Sequence, residues 1–168
     1  MCSLDKNSTF LAIFTQNQFT VNPQKLNAFL LLKLPSAYLC GVRVTAISKE
    51  DCVVSVKHRW INQNPFRSMY FAVQAMAAEL STGALVMLAI QEAKRPISML
   101  VTQNKSVFTK KATGRIQFEC KQGSAVAMAI QKAIHSGEGQ TLWLDAVGRN
   151  EKGEIVSEFS FEWSIKSK

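Results

Sequence analysis

The chain has 168 residues, 47% of them hydrophobic, which predicts a single globular domain over residues 1–168 with a helical N-terminal extension over about residues 1–40. Its four cysteines are scattered and lack CxxC spacing or a histidine cluster, so neither a disulfide framework nor a zinc site is indicated and a reduced, cytoplasmic setting is favoured. The net charge of +8 predicts attraction to anions, but no nucleic-acid-binding signature accompanies it, so nucleic acid is not an expected partner.

The first elements predicted after the N-terminus are a helix and a hairpin. Asn22 followed by Pro23 is typical of a helix start, with an N-cap residue and proline at the first helical position, and Pro35 predicts its end. From residue 42 to residue 59 the pattern changes to alternation, which predicts two strands. The polar residues 48–51 between them predict a hairpin turn.

A long apolar segment, residues 62–91, follows the hairpin: NQNPFRSMYFAVQAMAAELSTGALVMLAIQ. Its near-uniform hydrophobicity predicts a helix wrapped by protein on every side. Polar interruptions and the lack of flanking basic clusters argue against a membrane span. Glu79 is the one carboxylate in this segment, and a buried ionisable group costs free energy unless something pairs or uses it.

The remainder of the chain predicts further strands. Residues 96–110 and 115–121 indicate a second hairpin, and residues 141–149 and 154–166 indicate a third around the turn at 150–153. Residues 124–135 fit either a short helix or a strand. The predicted fold class is α+β: an antiparallel sheet of about six strands wrapped around one long central helix, with an extra N-terminal helix.

This order of elements resembles the hotdog fold, and the segment from Asn64 resembles the phenylacetyl-CoA thioesterase-like branch of acyl-CoA thioesterases. Members of that branch read Asn-x-x-Gly-Thr-x-His-Gly-Gly at the mouth of the central helix, with an acidic residue seven positions later. Asn64, the hydroxyl of Ser68 and the acid Glu79 match this pattern. The histidine and the two glycines are replaced by Tyr70, Phe71 and Ala72. The chain looks closest to an uncharacterised, thioesterase-like hotdog family.

Thioester hydrolysis needs a carboxylate as base or nucleophile, and Glu79 could serve as either. It also needs donors for the developing oxyanion, and the backbone amides of Tyr70 and Phe71 begin the helix at its positive end. Phe71 and Glu79 are about 12 Å apart along one helix, which predicts a site shared between subunits of a homodimer or tetramer. The resemblance adds Asn64 to the catalytic candidates. Candidates for binding the substrate and its coenzyme A phosphates are Ser68, Lys110, Lys111 and Arg115.

Coenzyme A enters this interpretation as part of the substrate, so no separate cofactor is expected. Simpler roles stay open: Glu79 could pair with Arg43 or Arg59, Asn64 could cap a turn, and Ser68 could be an N-cap. Tyr70 could pack in the core, and the basic residues could lie at solvated strand ends. The alternative function is a non-catalytic acyl-CoA or fatty-acyl binding hotdog protein. A hotdog dehydratase is disfavoured, because Gln74 stands where that reaction needs glutamate.

Overall fold

The computed structural model describes residues 22–168, so residues 1–21 of the helical extension expected over about residues 1–40 lie outside the described part. Helix α1 spans Pro23–Lys33, and the side-chain oxygen of Asn22 accepts a hydrogen bond from the amide of Gln24 at 2.8 Å, which confirms the predicted helix start. A short helix α2, Pro35–Leu39, follows at once. The side chain of Asn27 holds α1 beside the first strand, because it bonds both the amide and the carbonyl of Val44 at 2.9 Å.

Six antiparallel strands form one sheet in the order β1-β2-β4-β5-β6-β3, which places β1 and β3 at its two edges. Their bounds are β1 Arg43–Ile47, β2 Cys52–Lys57, β3 Ile97–Phe108, β4 Arg115–Cys120, β5 Gln140–Asn150 and β6 Ile155–Ser167. The predicted hairpins β1–β2 and β5–β6 are confirmed, with Ser48 donating its amide to the carbonyl of Asp51 at 2.8 Å in the first turn.

The predicted hairpin between β3 and β4 is wrong. β3 pairs along nearly its whole length with β6, while β4 lies between β2 and β5. The 12-residue β3 finds a partner of similar length in the 13-residue β6, whereas the six-residue β4 could cover only half of it. The turn residues before β4 instead carry the chain across the sheet, with Gly114 in the left-handed region at φ 71°.

The long central helix α3 spans Phe71–Ala93, and the sheet curls around it as predicted. By length and composition α3 could cross a membrane, but 67% of its most apolar window is buried inside the fold, as in the core helix of a globular protein. Residues 124–135, which fitted either element, lie in helix α4, Gly123–Ser136. Gly123 is required there, because a Cβ atom would lie 1.8 Å from the carbonyl oxygen of Lys49.

Wrapping of α3 is incomplete within the described residues. The sheet-facing side carries buried residues such as Val73, Ala77 and Leu85, while Ala72, Glu79 and others on another stripe are only half-buried. The expectation that protein covers every side of the helix is therefore met over residues 80–86, which are all buried, and not toward the two ends of the helix. The half-buried stripe contains the candidate functional site.

Candidate functional site around Glu79 and the start of helix α3

Glu79 lines a half-enclosed cavity of about 210 Å³ between α3, α1 and β3. The lining residues are Phe29, Lys33, Leu34, Glu79, Leu80, Gly83, Met87 and Met99. Most of these side chains are apolar, and burial among them raises the pKa of the Glu79 carboxyl above its ordinary value of 4.5, because loss of water disfavours the charged form. The carboxyl thus lies where a ligand could reach it and where its protonation is shifted.

Glu79 has no ion-pair partner among residues 22–168. The proposed pairing with Arg43 fails because that guanidinium stacks over the ring of Tyr38, 3.4 Å from the ring centroid. It also donates to the carbonyl oxygens of Tyr38 and Val42, each at 2.7 Å. The buried charge is therefore not explained by a structural ion pair.

Gly83 forms the floor of the cavity one turn after Glu79. A Cβ atom at Gly83 would lie 3.1 Å from the indole ring of Trp163 and 3.2 Å from Oε1 of Glu79. The indole is itself fixed, since its N–H donates to the hydroxyl of Thr82 at 3.1 Å and only 3% of the residue is exposed. The missing side chain at Gly83 therefore leaves room for the carboxyl between α3 and β6.

The first turn of α3 carries the second part of the candidate site. The amide of Tyr70 donates to the carbonyl of Asn62 at 2.8 Å, so the prediction that this amide is free to hold an oxyanion is wrong. The amides of Phe71 and Ala72 have no acceptor within residues 22–168, and no side chain caps this end of the helix. The available donors are thus one residue further along than predicted, at the positive end of a 23-residue helix.

Asn64 and Ser68 are bound to each other in the loop that leads into α3. Oδ1 of Asn64 accepts hydrogen bonds from the amides of Phe66 at 2.9 Å and Ser68 at 3.2 Å. Nδ2 of Asn64 donates to the hydroxyl of Ser68 at 3.0 Å, so this hydroxyl is not the N-cap of the helix. These bonds fit the simpler interpretation, in which Asn64 shapes a turn that includes Arg67 at φ 58°.

The predicted basic residues lie in and after the loop between β3 and β4. This loop contacts the start of α3, because the amide of Met69 donates to the carbonyl of Ala112 at 2.8 Å. Lys111, next to Ala112, is exposed. Lys110 is paired with Glu154 at 2.5 Å, which lowers the pKa of that carboxyl, and Arg115 donates to the hydroxyl of Ser55 at 3.3 Å. Lys111 is therefore the basic candidate with the least engaged side chain.

Aromatic side chains near the start of α3 and on the edge strand β3 remain open to solvent. Phe71 is 54% exposed and Phe108 is 45% exposed, and their ring centroids lie 6.4 Å apart in an edge-to-face contact. Tyr70 packs edge-on against Phe71 at 4.9 Å. We call Tyr70, Phe71 and Phe108 the aromatic edge. It lies beside a strand edge that has no partner within residues 22–168.

The sequence interpretation missed the walls of the cavity. Phe29 comes from α1 and Leu34 directly follows that helix, Met99 comes from β3, and Trp163 lies beneath Gly83 on β6. Gly83 was one local signal of this cavity, because a glycine inside a long helix usually has a packing or functional reason. Nothing in the local pattern could show that α1 returns over the acid.

The curled six-stranded sheet around α3 is the hotdog fold, as the resemblance implied. Residues 23–165 match the family described as a domain of unknown function, DUF4442, and the chain belongs to that family. No curated protein matches the sequence.

Solved structures share the fold at low sequence identity. A Pseudomonas aeruginosa protein of unknown function, described as a probable thioesterase, has a TM-score of 0.75 at 21% identity, covering 88% of this chain and 97% of that one. A protein of unknown function from Chlorobaculum tepidum has a TM-score of 0.75 at 17% identity, over 87% and 94%. A Haemophilus influenzae thioesterase has a TM-score of 0.66 at 10% identity, over 91% and 94%. At these identities the comparison establishes the fold alone.

Proposed function

We propose that this protein hydrolyses an acyl-CoA thioester at a site that two copies of the chain complete together. Glu79 acts as general base on water or as the attacking carboxylate. The amides of Phe71 and Ala72 from the partner copy hold the oxyanion that develops on the thioester carbonyl.

The observation that carries this proposal is the environment of Glu79. Its carboxyl lines an apolar cavity of about 210 Å³ and has no ion-pair partner within residues 22–168. Its pKa is raised by burial, which moves the carboxyl toward the range in which a base is useful at neutral pH. A carboxyl kept in this state is costly for the fold, and a catalytic role accounts for the cost.

Distance along the helix supports a shared site. Phe71 precedes Glu79 by eight residues, or about 12 Å at 1.5 Å per residue, so the two groups of one chain cannot contact the same carbonyl. A second copy placed across the unpartnered edge of β3 would cover the aromatic edge and bring its own helix start close to Glu79. Exposed aromatic side chains are typical of such interfaces.

The coenzyme A part of the substrate would lie along the loop between β3 and β4. This loop is bonded to the segment before α3 through Met69 and Ala112, and Lys111 is exposed on it. Phosphate groups there would meet the ammonium group of Lys111. Lys110 and Arg115 flank the same loop and could turn toward the phosphates.

The test is thiol release from acyl-CoAs of increasing chain length, measured for the wild type, Glu79→Gln and Glu92→Gln. Loss of the base should lower turnover by about 10²–10⁴-fold. Glu92 is the matched control, because it lies on the same helix in an exposed ion pair with Lys49 at 2.8 Å, and its neutralisation should leave turnover near wild type. Equal turnover in the wild type and Glu79→Gln would refute the assignment of Glu79.

The second candidate function is a non-catalytic acyl-CoA or fatty-acyl binding protein. It is favoured by Tyr70, Phe71 and Ala72, which replace the histidine and glycines of the catalytic family that the segment resembles. The engaged amide of Tyr70 also leaves one expected donor unusable. Tight binding of acyl-CoA without thiol release, unchanged in Glu79→Gln, would select this function.

A further inference from the structure

The cavity beside Glu79 also bears on which acyl group the site accepts, an inference that depends on the proposed function only for the thioester itself. We propose that it holds an aliphatic acyl chain of medium length, with the carbonyl at Glu79 and the far end of the chain at Met87. Met87 is then the residue that sets the longest chain accepted.

The walls of the cavity favour hydrocarbon. Apart from Glu79 and Lys33, its lining consists of aliphatic, aromatic and thioether side chains and one glycine. A polar acyl group would lose its hydration there without gaining partners, whereas each buried methylene contributes favourably. Met87 and Met99 face the same space, and their flexible thioethers can adjust to a chain that fills it.

The cavity follows one face of α3. Glu79, Gly83 and Met87 are spaced four residues apart, so they lie on the same side of the helix and extend over about 12 Å. Gly83 lines the cavity midway between the two other residues, and having no side chain it adds none to the path. An acyl chain that starts at Glu79 therefore has a path over Gly83 that ends against Met87.

The volume limits the chain length. An apolar protein cavity of about 150 Å³ holds benzene, with six carbons, so a cavity of about 210 Å³ corresponds to about eight carbons. Longer chains would have to displace Met87 or leave the cavity. Phe29 of α1 and Leu34 at its end also line the cavity, so α1 is part of this limit.

The experiment measures binding of non-hydrolysable S-alkyl-CoA thioethers, butyl to hexadecyl, by calorimetry. For the wild type, affinity should rise about fourfold per methylene up to about eight carbons and then level off. Met87→Ala should move the levelling point to longer chains, and Met87→Phe to shorter ones. Met128→Ala, the same truncation at an exposed methionine on α4, is the control and should match the wild type. Opposite shifts in the two Met87 variants cannot arise from poor folding of either one.

The outcomes separate this inference from the proposed hydrolysis. A levelling point that stays fixed in both Met87 variants, or no binding of any thioether, would overturn the inference. If the levelling point moves as expected but none of the variants releases thiol from acyl-CoA, the acyl subsite stands and the hydrolytic function fails. If thiol is released but the levelling point stays fixed, the hydrolytic function stands and the acyl subsite fails.

Discussion

The first turn of α3 and its middle turns each contain half of a reactive arrangement. At the first turn, the amides of Phe71 and Ala72 have no acceptor within residues 22–168 and lie beside exposed aromatic rings, with no carboxyl at that end of the helix. Around Glu79 a carboxyl lies in an apolar cavity, and the unbonded amides lie about 12 Å away along the helix. The amides at the helix start face outward and the Glu79 carboxyl lies in a half-enclosed cavity, so one chain presents the donors that the carboxyl of a second chain would need.

The largest expected loss of turnover that tests the amides at the start of α3 comes from Phe71→Pro. Phe71 is the first residue of α3, where proline fits, and Tyr70 before it has the extended backbone that proline requires, φ −61° and ψ 137°. The substitution removes one N–H and little else from the helix. Turnover should fall by about 10²–10³-fold, the usual cost of losing an oxyanion donor.

Phe71→Ala is the matched variant, because it removes the same ring and keeps the amide. Steady-state kinetics at a protein concentration where both variants have the wild-type oligomeric state isolates the amide from the ring. Equal turnover in Phe71→Pro and Phe71→Ala would exclude the amide as an oxyanion donor.

A mixing experiment tests whether the two halves come from different chains. Equal amounts of the Glu79→Gln and Phe71→Pro proteins are mixed, unfolded together and refolded, so that the two kinds of subunit combine at random. In a symmetric dimer with a shared site, half of the dimers contain both variants and one of their two sites is intact, which restores about a quarter of wild-type turnover. The measurement is thiol release before and after exchange. Activity equal to the average of the two separate variants would place the whole site within one chain.

Local patterns in the sequence were sufficient for much of the fold. Asn22 and Pro23 start a helix, the turn at residues 48–51 closes a hairpin, and the uniform hydrophobicity of α3 marks a core helix. These features depend on neighbours along the chain. The pairing of β3 with β6 was missed, because partners some 60 residues apart leave no local signal and a nearby glycine turn indicated β4 instead.

The candidate site divides in the same way. Glu79 stood out from the sequence because it interrupts an apolar helix, and the rise in its pKa follows from that burial. The engaged amide of Tyr70 and the cavity wall from α1 depend on contacts between segments distant in sequence. Burial could thus be predicted from composition, whereas hydrogen-bond partners and cavity shape required the assembled fold.

The smallest expected effect is the pH dependence of the stability contributed by Glu79 in its cavity. Burial raises the pKa of Glu79 in the folded state above its ordinary value of 4.5. Below that value the carboxyl is protonated in both the folded and the unfolded protein, so it does not alter stability. As pH rises above 4.5 and through the folded pKa, the unfolded protein is favoured, because its carboxyl ionises more easily. Glu79→Gln should therefore be more stable than the wild type at pH 8, and the difference should vanish near pH 4.

Thermal unfolding of the wild type, Glu79→Gln and Glu92→Gln at both pH values measures this difference, and each unit of raised pKa corresponds to about 1.4 kcal/mol. Burial also raises the pKa of Cys52 to about 12 and that of Cys120 to about 11, but all three proteins share these thiols, so their effect cancels in the comparison. The value of kcat/KM for the wild type should rise as the pH passes the raised pKa of Glu79, since only the ionised carboxyl acts as a base. A stability difference that is equal at pH 4 and pH 8 would mean that Glu79 is hydrated in solution and is not buried in an apolar cavity.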